Sequence, residues 1–203
     1  MRVLVIRHAE PEPRWDQDPR LSAAGRRQAA CLSRALGGEK LDRVVSSAMR
    51  RAMETAELLA ATLEVPLITE PDLIEIGMGE LAPWGPREQA EWELTTERWE
   101  RGDFTAGPRG GESLIEVINR VEPVVRRLAA EPCEHGIAIV GHAVVNGVIL
   151  SSLCPELRPT LGRDLGHGYT GVWELEGEGQ AFRVARRNDT GHLVLAQGVS
   201  ETD

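Results

Sequence analysis

The chain has 203 residues, 41% of them hydrophobic, and a formal net charge of -9. That length and apolar fraction fit one globular domain, residues 1–203, with a well-buried core, and they exclude a disordered chain. The acidic balance argues against nucleic acid or a membrane surface as partner, since both call for a basic face. A small phosphorylated molecule needs only a few local arginines and stays open.

No apolar run approaches the roughly 18 residues of a membrane helix. The chain enters its first strand at Arg2 with no signal peptide before it, so a cytoplasmic location is expected. Cys31, Cys133 and Cys154 are odd in number and widely spaced, which fits free thiols; no Cys/His spacing resembles a zinc site.

Strands and helices alternate. Residues 2–7 form the first strand, around Val3-Leu4-Val5-Ile6. Ser22 caps a helix to about Leu36, with Gly25, Ala29, Leu32 and Leu36 at helical spacing, and Gly37-Gly38 ends it. A strand over Arg43–Ser47 and a helix from about Ala48 to Leu63 follow. Val65–Ile68 reads as a short strand, and Pro66 places it at an edge. Residues 70–110 are rich in Gly, Pro and Trp, with a polar helix near Arg87–Arg101; this segment is expected to form a lid or insertion. A helix from Glu112 to about Ala130 contains Pro123, which should kink or divide it. Residues 137–141 are a strand, followed by a helix from about Ala143 to Leu153. Two late strands lie near Gly171–Leu175 and Ala181–Arg186, and the tail after Ala196 reads as frayed. The expected class is α/β: a three-layer α/β/α sandwich with a mostly parallel central sheet and helices on both faces.

Four places carry candidate chemistry. The first strand ends in Arg7-His8-Ala9-Glu10. A histidine there can attack phosphorus through an unprotonated ring nitrogen, and Arg7 can hold phosphate oxygens; a structural histidine is the competing reading. Ser46-Ser47 precede a helix that opens with Arg50-Arg51, an anion-favouring position, although one arginine of such a pair is expected to be merely solvated. Glu75, between apolar neighbours, can protonate a leaving alkoxide or simply face solvent. Gly141-His142-Ala143 ends the 137–141 strand and offers a second imidazole. Strands of this kind end where ligands bind in open α/β sheets.

Together these pieces resemble the histidine phosphatase superfamily, also called phosphoglycerate-mutase-like. The resemblance runs through Arg7-His8-Ala9-Glu10, Leu21 to Ala29, Ser46-Ser47, Arg51-Ala52 and Thr55-Ala56. It continues through Leu73 to Gly79, Gly110-Gly111-Glu112-Ser113, Val140-Gly141-His142, and Asn188-Asp189 with His192-Leu193. It implies His8 as the nucleophile that becomes phosphohistidine, Arg7 and Arg51 (not Arg50) as phosphate-binding arginines, Glu75 as proton donor, and His142 as the second histidine of the phosphate pocket. It implies no metal and no cofactor. The implied activity is a metal-independent phosphomonoesterase acting on a small phosphorylated metabolite. A mutase-type phosphotransferase or a non-catalytic phospho-ligand module are the alternatives.

The chain departs from the family pattern in places. Ala9 and Ala143 stand for glycines, Gly141 stands for Ser or Thr, and Leu81-Ala82-Pro83 stands for Trp-Glu-Gly. Alanine beside a phosphate is expected to crowd the pocket unless both residues keep negative φ. His135, His167 and His192 read as structural or surface residues, with the Gly166-His167-Gly168-Tyr169 loop as a candidate pocket lining. Trp84, Trp92 and Trp99 make either an aromatic wall for substrate or the packing of residues 70–110. The acidic stretch Glu88–Glu100 disfavours a highly anionic substrate. Relatives commonly dimerise, so a homodimer stays open.

Overall fold

The computed structural model describes residues 1–13, 18–81, 85–160, 167–178 and 181–197, with backbone alone at 159, 160, 178 and 195–197. Among these residues six strands form one sheet in the order β3-β2-β4-β1-β5-β6: β1 (Arg2–Arg7), β2 (Arg43–Ser47), β3 (Leu67–Glu70), β4 (Ile137–Gly141), β5 (Val172–Glu178) and β6 (Ala181–Asp189). β3, β2, β4 and β1 run parallel, and β5 and β6 are antiparallel additions. The sheet is therefore mostly parallel. β3 is an edge strand that starts after Pro66, two residues later than the sequence pattern places it.

The helices are α1 (Ala23–Leu36), α2 (Arg50–Leu63), α3 (Pro86–Glu100), α4 (Leu114–Ala130), α5 (Ala143–Leu153) and α6 (Gly191–Gln197). They cover both faces. Leu4, Ile6, Val44, Ala138 and Val140 pack beneath α1 and α2. Val3, Val5, Val45, Ile137 and Ile139 pack beneath α4 and α5. The inner strands are thus apolar on both sides, as buried parallel strands must be.

Local chemistry sets the helix ends. Ser22 accepts from Gly25 N at the start of α1, as expected. Ser113 and Glu116 close a capping box at the start of α4. Of the two expected outcomes at Pro123, division does not occur: the proline sits inside one continuous α4. The helix buries Leu114, Val117, Ile118, Val121, Val124, Val125 and Leu128. At about 1.5–3 kcal/mol for each large apolar side chain, that face outweighs an interior proline costing about 3 kcal/mol. Helix α6 has no counterpart in the sequence reading, and residues 198–203 of the tail lie outside the described residues. No helix among them is long and apolar enough to cross a membrane.

Within residues 70–110 the structure shows two 3-10 turns, Pro71–Leu73 and Gly79–Leu81, and then α3. Trp92 and Trp99 meet edge to face, with ring centroids 5.2 Å apart. Trp99 is buried and donates its indole N–H to Ala106 O at 2.9 Å. These two rings pack this segment; Trp84, Ala82 and Pro83 lie outside the described residues.

The register fixes the site. Arg7 on β1 pairs with Gly141 on β4, and His8 N donates to Gly141 O at 3.0 Å. His8 and His142 therefore leave neighbouring strands at the same level of the sheet, at their carboxyl ends.

Candidate active site

His8 is 4% exposed, and its two ring nitrogens have different partners. Nδ1 lies 2.7 Å from Ala9 O. A carbonyl only accepts, so Nδ1 carries the hydrogen and Nε2 keeps its lone pair. Arg51 Nε donates to that Nε2 at 3.1 Å. Burial first, and then the Arg51 guanidinium, hold His8 well below the ordinary imidazole value; the bond to Ala9 O works against them. The ring is neutral, with a free electron pair aimed at an arginine.

His142 is fully buried and starts α5. Its Nε2 lies 2.8 Å from Ser47 Oγ, and its ring centroid is 5.1 Å from that of His8. Burial, then the neighbouring His8, Arg51 and Arg7, depress its basicity as well. Burial thus favours the neutral form of both imidazoles.

Arg51, in the first turn of α2, has a side chain only 11% exposed, and its Nη1 lies 3.9 Å from Asp18 Oδ1. Burial lowers its basicity, while the negative charges of Glu75 and Asp18 restore part of it. Arg50 is 55% exposed and pairs with Asp18 on the outside. Of the arginine pair, the structure brings only Arg51 to His8. Arg7 lies with its guanidinium carbon 4.4 Å from the centre of the Tyr169 ring and donates to His167 O. Tyr169 is also 5.8 Å from His8, centroid to centroid.

Glu75 follows the Pro71–Leu73 turn, between buried Leu73 and Ile76. Its Oε1 accepts from Ile76 N at 3.1 Å and Val145 N at 3.3 Å, and its Oε2 accepts from Val144 N at 3.3 Å. The carboxyl group thus sits at the N-terminus of α5, beside His142.

The replaced glycines meet the condition under which alanine is tolerable here. Ala9 is fully buried and packs with Leu21 and Ala29. Neither Ala9 nor Ala143 has positive φ. Thr55 Oγ1 accepts from Ala9 N at 3.1 Å and donates to Arg51 O at 2.8 Å, tying the His8 loop to α2. His135 bonds Asp42, and His192 Nε2 lies 2.8 Å from Thr170 Oγ1; both histidines hold turns. Sequence reasoning gave no role to Ser47, Thr55 or Asp18. Ser47 and Thr55 stood inside quoted motifs, whereas nothing local marks Asp18. Tyr169 was flagged only through its glycine-flanked loop, and Gly166 of that loop lies outside the described residues.

The family model described as histidine phosphatase superfamily (branch 1) matches residues 3–190. The chain belongs to the histidine phosphatase superfamily. It is 29% identical over 165 residues to a probable phosphoglycerate mutase of Proteus mirabilis, covering 75% of this chain and 74% of that one. It is 26% identical to phosphoserine phosphatase 1 of Hydrogenobacter thermophilus, covering 98% of this chain and 93% of that one. The structure of a mycobacterial glucosyl-3-phosphoglycerate phosphatase with inorganic phosphate superposes with a TM-score of 0.79 at 25% identity, over 94% of this chain and 98% of that one. The superfamily includes phosphatases, and this member shares its mixed six-stranded α/β architecture.

Proposed function

We propose that the protein is a phosphomonoesterase that works through a phosphohistidine on His8 and takes a small phosphorylated metabolite. The observation that carries this reading is the tautomer of His8: the hydrogen sits on Nδ1 toward Ala9 O, leaving the Nε2 lone pair facing Arg51. A phosphate entering there takes over the Arg51 Nε hydrogen bond and frees the lone pair for attack.

In the first step Nε2 forms a bond to phosphorus, and the bond from phosphorus to the ester oxygen breaks. Glu75, in its acid form, gives its proton to the departing oxygen. Arg7, Arg51 and His142 hold the non-bridging oxygens, doing the charge stabilisation that a divalent ion supplies in other phosphoryl transfers. Water then attacks phosphorus, Glu75 takes its proton, and the electron pair of the N–P bond returns to Nε2.

The test is a panel of phosphorylated metabolites with and without EDTA, read by released inorganic phosphate. Acid-labile phosphate trapped on the protein should disappear in His8→Ala. A His8→Ala protein that still turns over rejects this mechanism. The likeness to the probable phosphoglycerate mutase carries a second reading, phosphoryl return to a sugar-acid hydroxyl. Isomerisation of phosphoglycerate without phosphate release would establish it instead. A chain that binds phosphate and forms no phosphohistidine would be a non-catalytic module.

A further inference from the structure

Glu75 is carried on a segment with little regular structure of its own; Val144 N and Val145 N hold its carboxyl, and something else must hold its backbone. Two residues from a distant part of the chain do this. Glu112 Oε2 accepts from Gly77 N at 2.8 Å, and Glu112 N donates to Gly77 O at 2.9 Å. Arg120, on α4, grips Glu112 with two parallel bonds, Nε to Oε1 at 2.9 Å and Nη2 to Oε2 at 2.9 Å. Its remaining Nη1 donates to Asp72 O at 2.6 Å. The segment is therefore held at Asp72 and at Gly77, on both sides of Glu75. A forked arginine–carboxylate pair fixes direction as well as distance.

The backbone is fitted to this clamp. A Cβ on Gly111 would lie 2.1 Å from Gly77 O, and one on Gly79 would lie 2.3 Å from Arg109 O and Gly111 N. Gly79 also has φ +52. Glycine at both positions lets the 108–112 turn lie flush on 77–80, where Glu80 N donates to Arg109 O at 2.8 Å. Glu112 shows the same grip: burial alone would raise its pKa, yet the bonds from Arg120 and Gly77 hold it below the usual carboxylate value.

We propose that Glu112 and Arg120 are positioning residues that aim the Glu75 carboxyl at the leaving oxygen by fixing Asp72 and Gly77. This inference rests on the phosphomonoesterase reading and assigns two residues to it. Neither touches the phosphate; each acts through Glu75. Proton donation matters most for an alkoxide leaving group and little for a stabilised phenolate, so misaiming Glu75 harms the two unequally.

The experiment compares Glu112→Gln, Arg120→Lys and Glu75→Gln with the unaltered protein on an alkyl phosphate and on 4-nitrophenyl phosphate. Because misplacement of a reacting group by an ångström costs about 100-fold, kcat/KM on the alkyl ester, which reports the step in which Glu75 gives its proton to the leaving oxygen, should fall roughly 10- to 100-fold in Glu112→Gln and Arg120→Lys. The loss of kcat/KM on 4-nitrophenyl phosphate should stay below about 3-fold, any slowing of the shared hydrolysis step should lower kcat alike for both esters, and the dependence of kcat/KM on leaving group should steepen toward that of Glu75→Gln. Arg120→Lys keeps the cation and most of the stem, so it remains informative where Glu112→Gln folds poorly. Equal losses of kcat/KM on both esters, or none on either, overturn the positioning role while leaving the phosphatase standing. An unaltered protein inactive on every ester sinks both.

Discussion

Gly141 and Asn146 form a steric pair whose coupling can be measured. A Cβ at position 141 would lie 2.4 Å from Asn146 Oδ1, against an ordinary contact of 3.4–4 Å. Asn146 is fully buried, and neither polar atom of its carboxamide has a hydrogen-bond partner among the described residues. The overlap is about an ångström with an amide that has nowhere to go, so Gly141→Ala should cost about 1–3 kcal/mol as an overpacked site. In a chain of this length that is roughly 2–4 °C of melting temperature per kcal/mol. Asn146→Ala alone removes buried polar atoms that are already unpaired, and should be close to neutral by comparison. In the double variant the new methyl occupies the space the amide left, so the two changes should couple favourably by about 1–2 kcal/mol. Urea unfolding of all four proteins gives the cycle directly. Because Gly141 O accepts from His8 N, activity should fall with Gly141→Ala and return in the double variant. Strictly additive losses would mean that the methyl meets backbone and not Asn146, and the account of this pair would be wrong.

Three further outcomes are expected. His8 and His142 are both held below the ordinary imidazole value of 6.5, by burial first, so the unfolded chain binds protons that the folded chain refuses. Their contribution to stability is complete above that value and is lost as pH falls from it toward the depressed folded values, by at most about 1.4 kcal/mol per pH unit for each histidine. Urea midpoints taken from neutral to mildly acidic pH should fall, and the drop should shrink in His142→Gln; midpoints that ignore pH in this range contradict the burial argument. Thr55→Val keeps the shape but strands Ala9 N, so it should destabilise by about 1–3 kcal/mol, measured by thermal melting, and lower kcat. Arg51→Lys should cut turnover at least roughly 10-fold, since a lysine cannot reproduce the guanidinium fork, while Arg50→Lys leaves phosphate release near its starting value.

Much of this site could be read from sequence because strands announce themselves. Val3–Ile6 and Ile137–Val140 are β-branched or aliphatic runs, and each ends two residues before a histidine. The choice of Arg51 over Arg50 came from the family resemblance and not from helical periodicity. The pattern starts α2 at Ala48, whereas the helix begins at Arg50 behind Met49, which makes no side-chain cap. The rest was hidden because its partners are distant. Arg120 reaches Asp72 across 48 positions and Glu112 reaches Gly77 across 35, and no local spacing encodes either bond. The stacking of Tyr169 on Arg7 follows from where β5 begins, and glycine-flanked tyrosine looks the same in any turn.

Register is what the hydrophobic pattern leaves unspecified. β1 is apolar on both faces: Leu4 and Ile6 go to one core, Val3 and Val5 to the other. A one-residue slip against β4 would exchange the two cores with no polar residue forced inside, so hydrophobic patterning alone barely resists it. The slip would nevertheless move His8 away from His142 by a residue and turn Arg7 to the wrong face. Resistance must come from groups that recognise one alignment. Gly136, just before β4, supplies it for β1: a Cβ there would lie 2.4 Å from Arg2 O, so a glycine must stand at that level. Asp42, just before β2, does the same between β4 and β2: Oδ2 accepts from His135 N at 2.9 Å and Gly136 N at 3.0 Å, and Asp42 N donates to Gly136 O at 2.8 Å. The bond from Gly136, with that from His135 beside it, holds this carboxyl well below the usual carboxylate range despite the opposing effect of burial. It pins the start of β4 to β2 at the end of the sheet opposite the histidines. A carboxylate far from the chemistry thereby helps set the level at which β4 delivers His142 to Ser47 on β2.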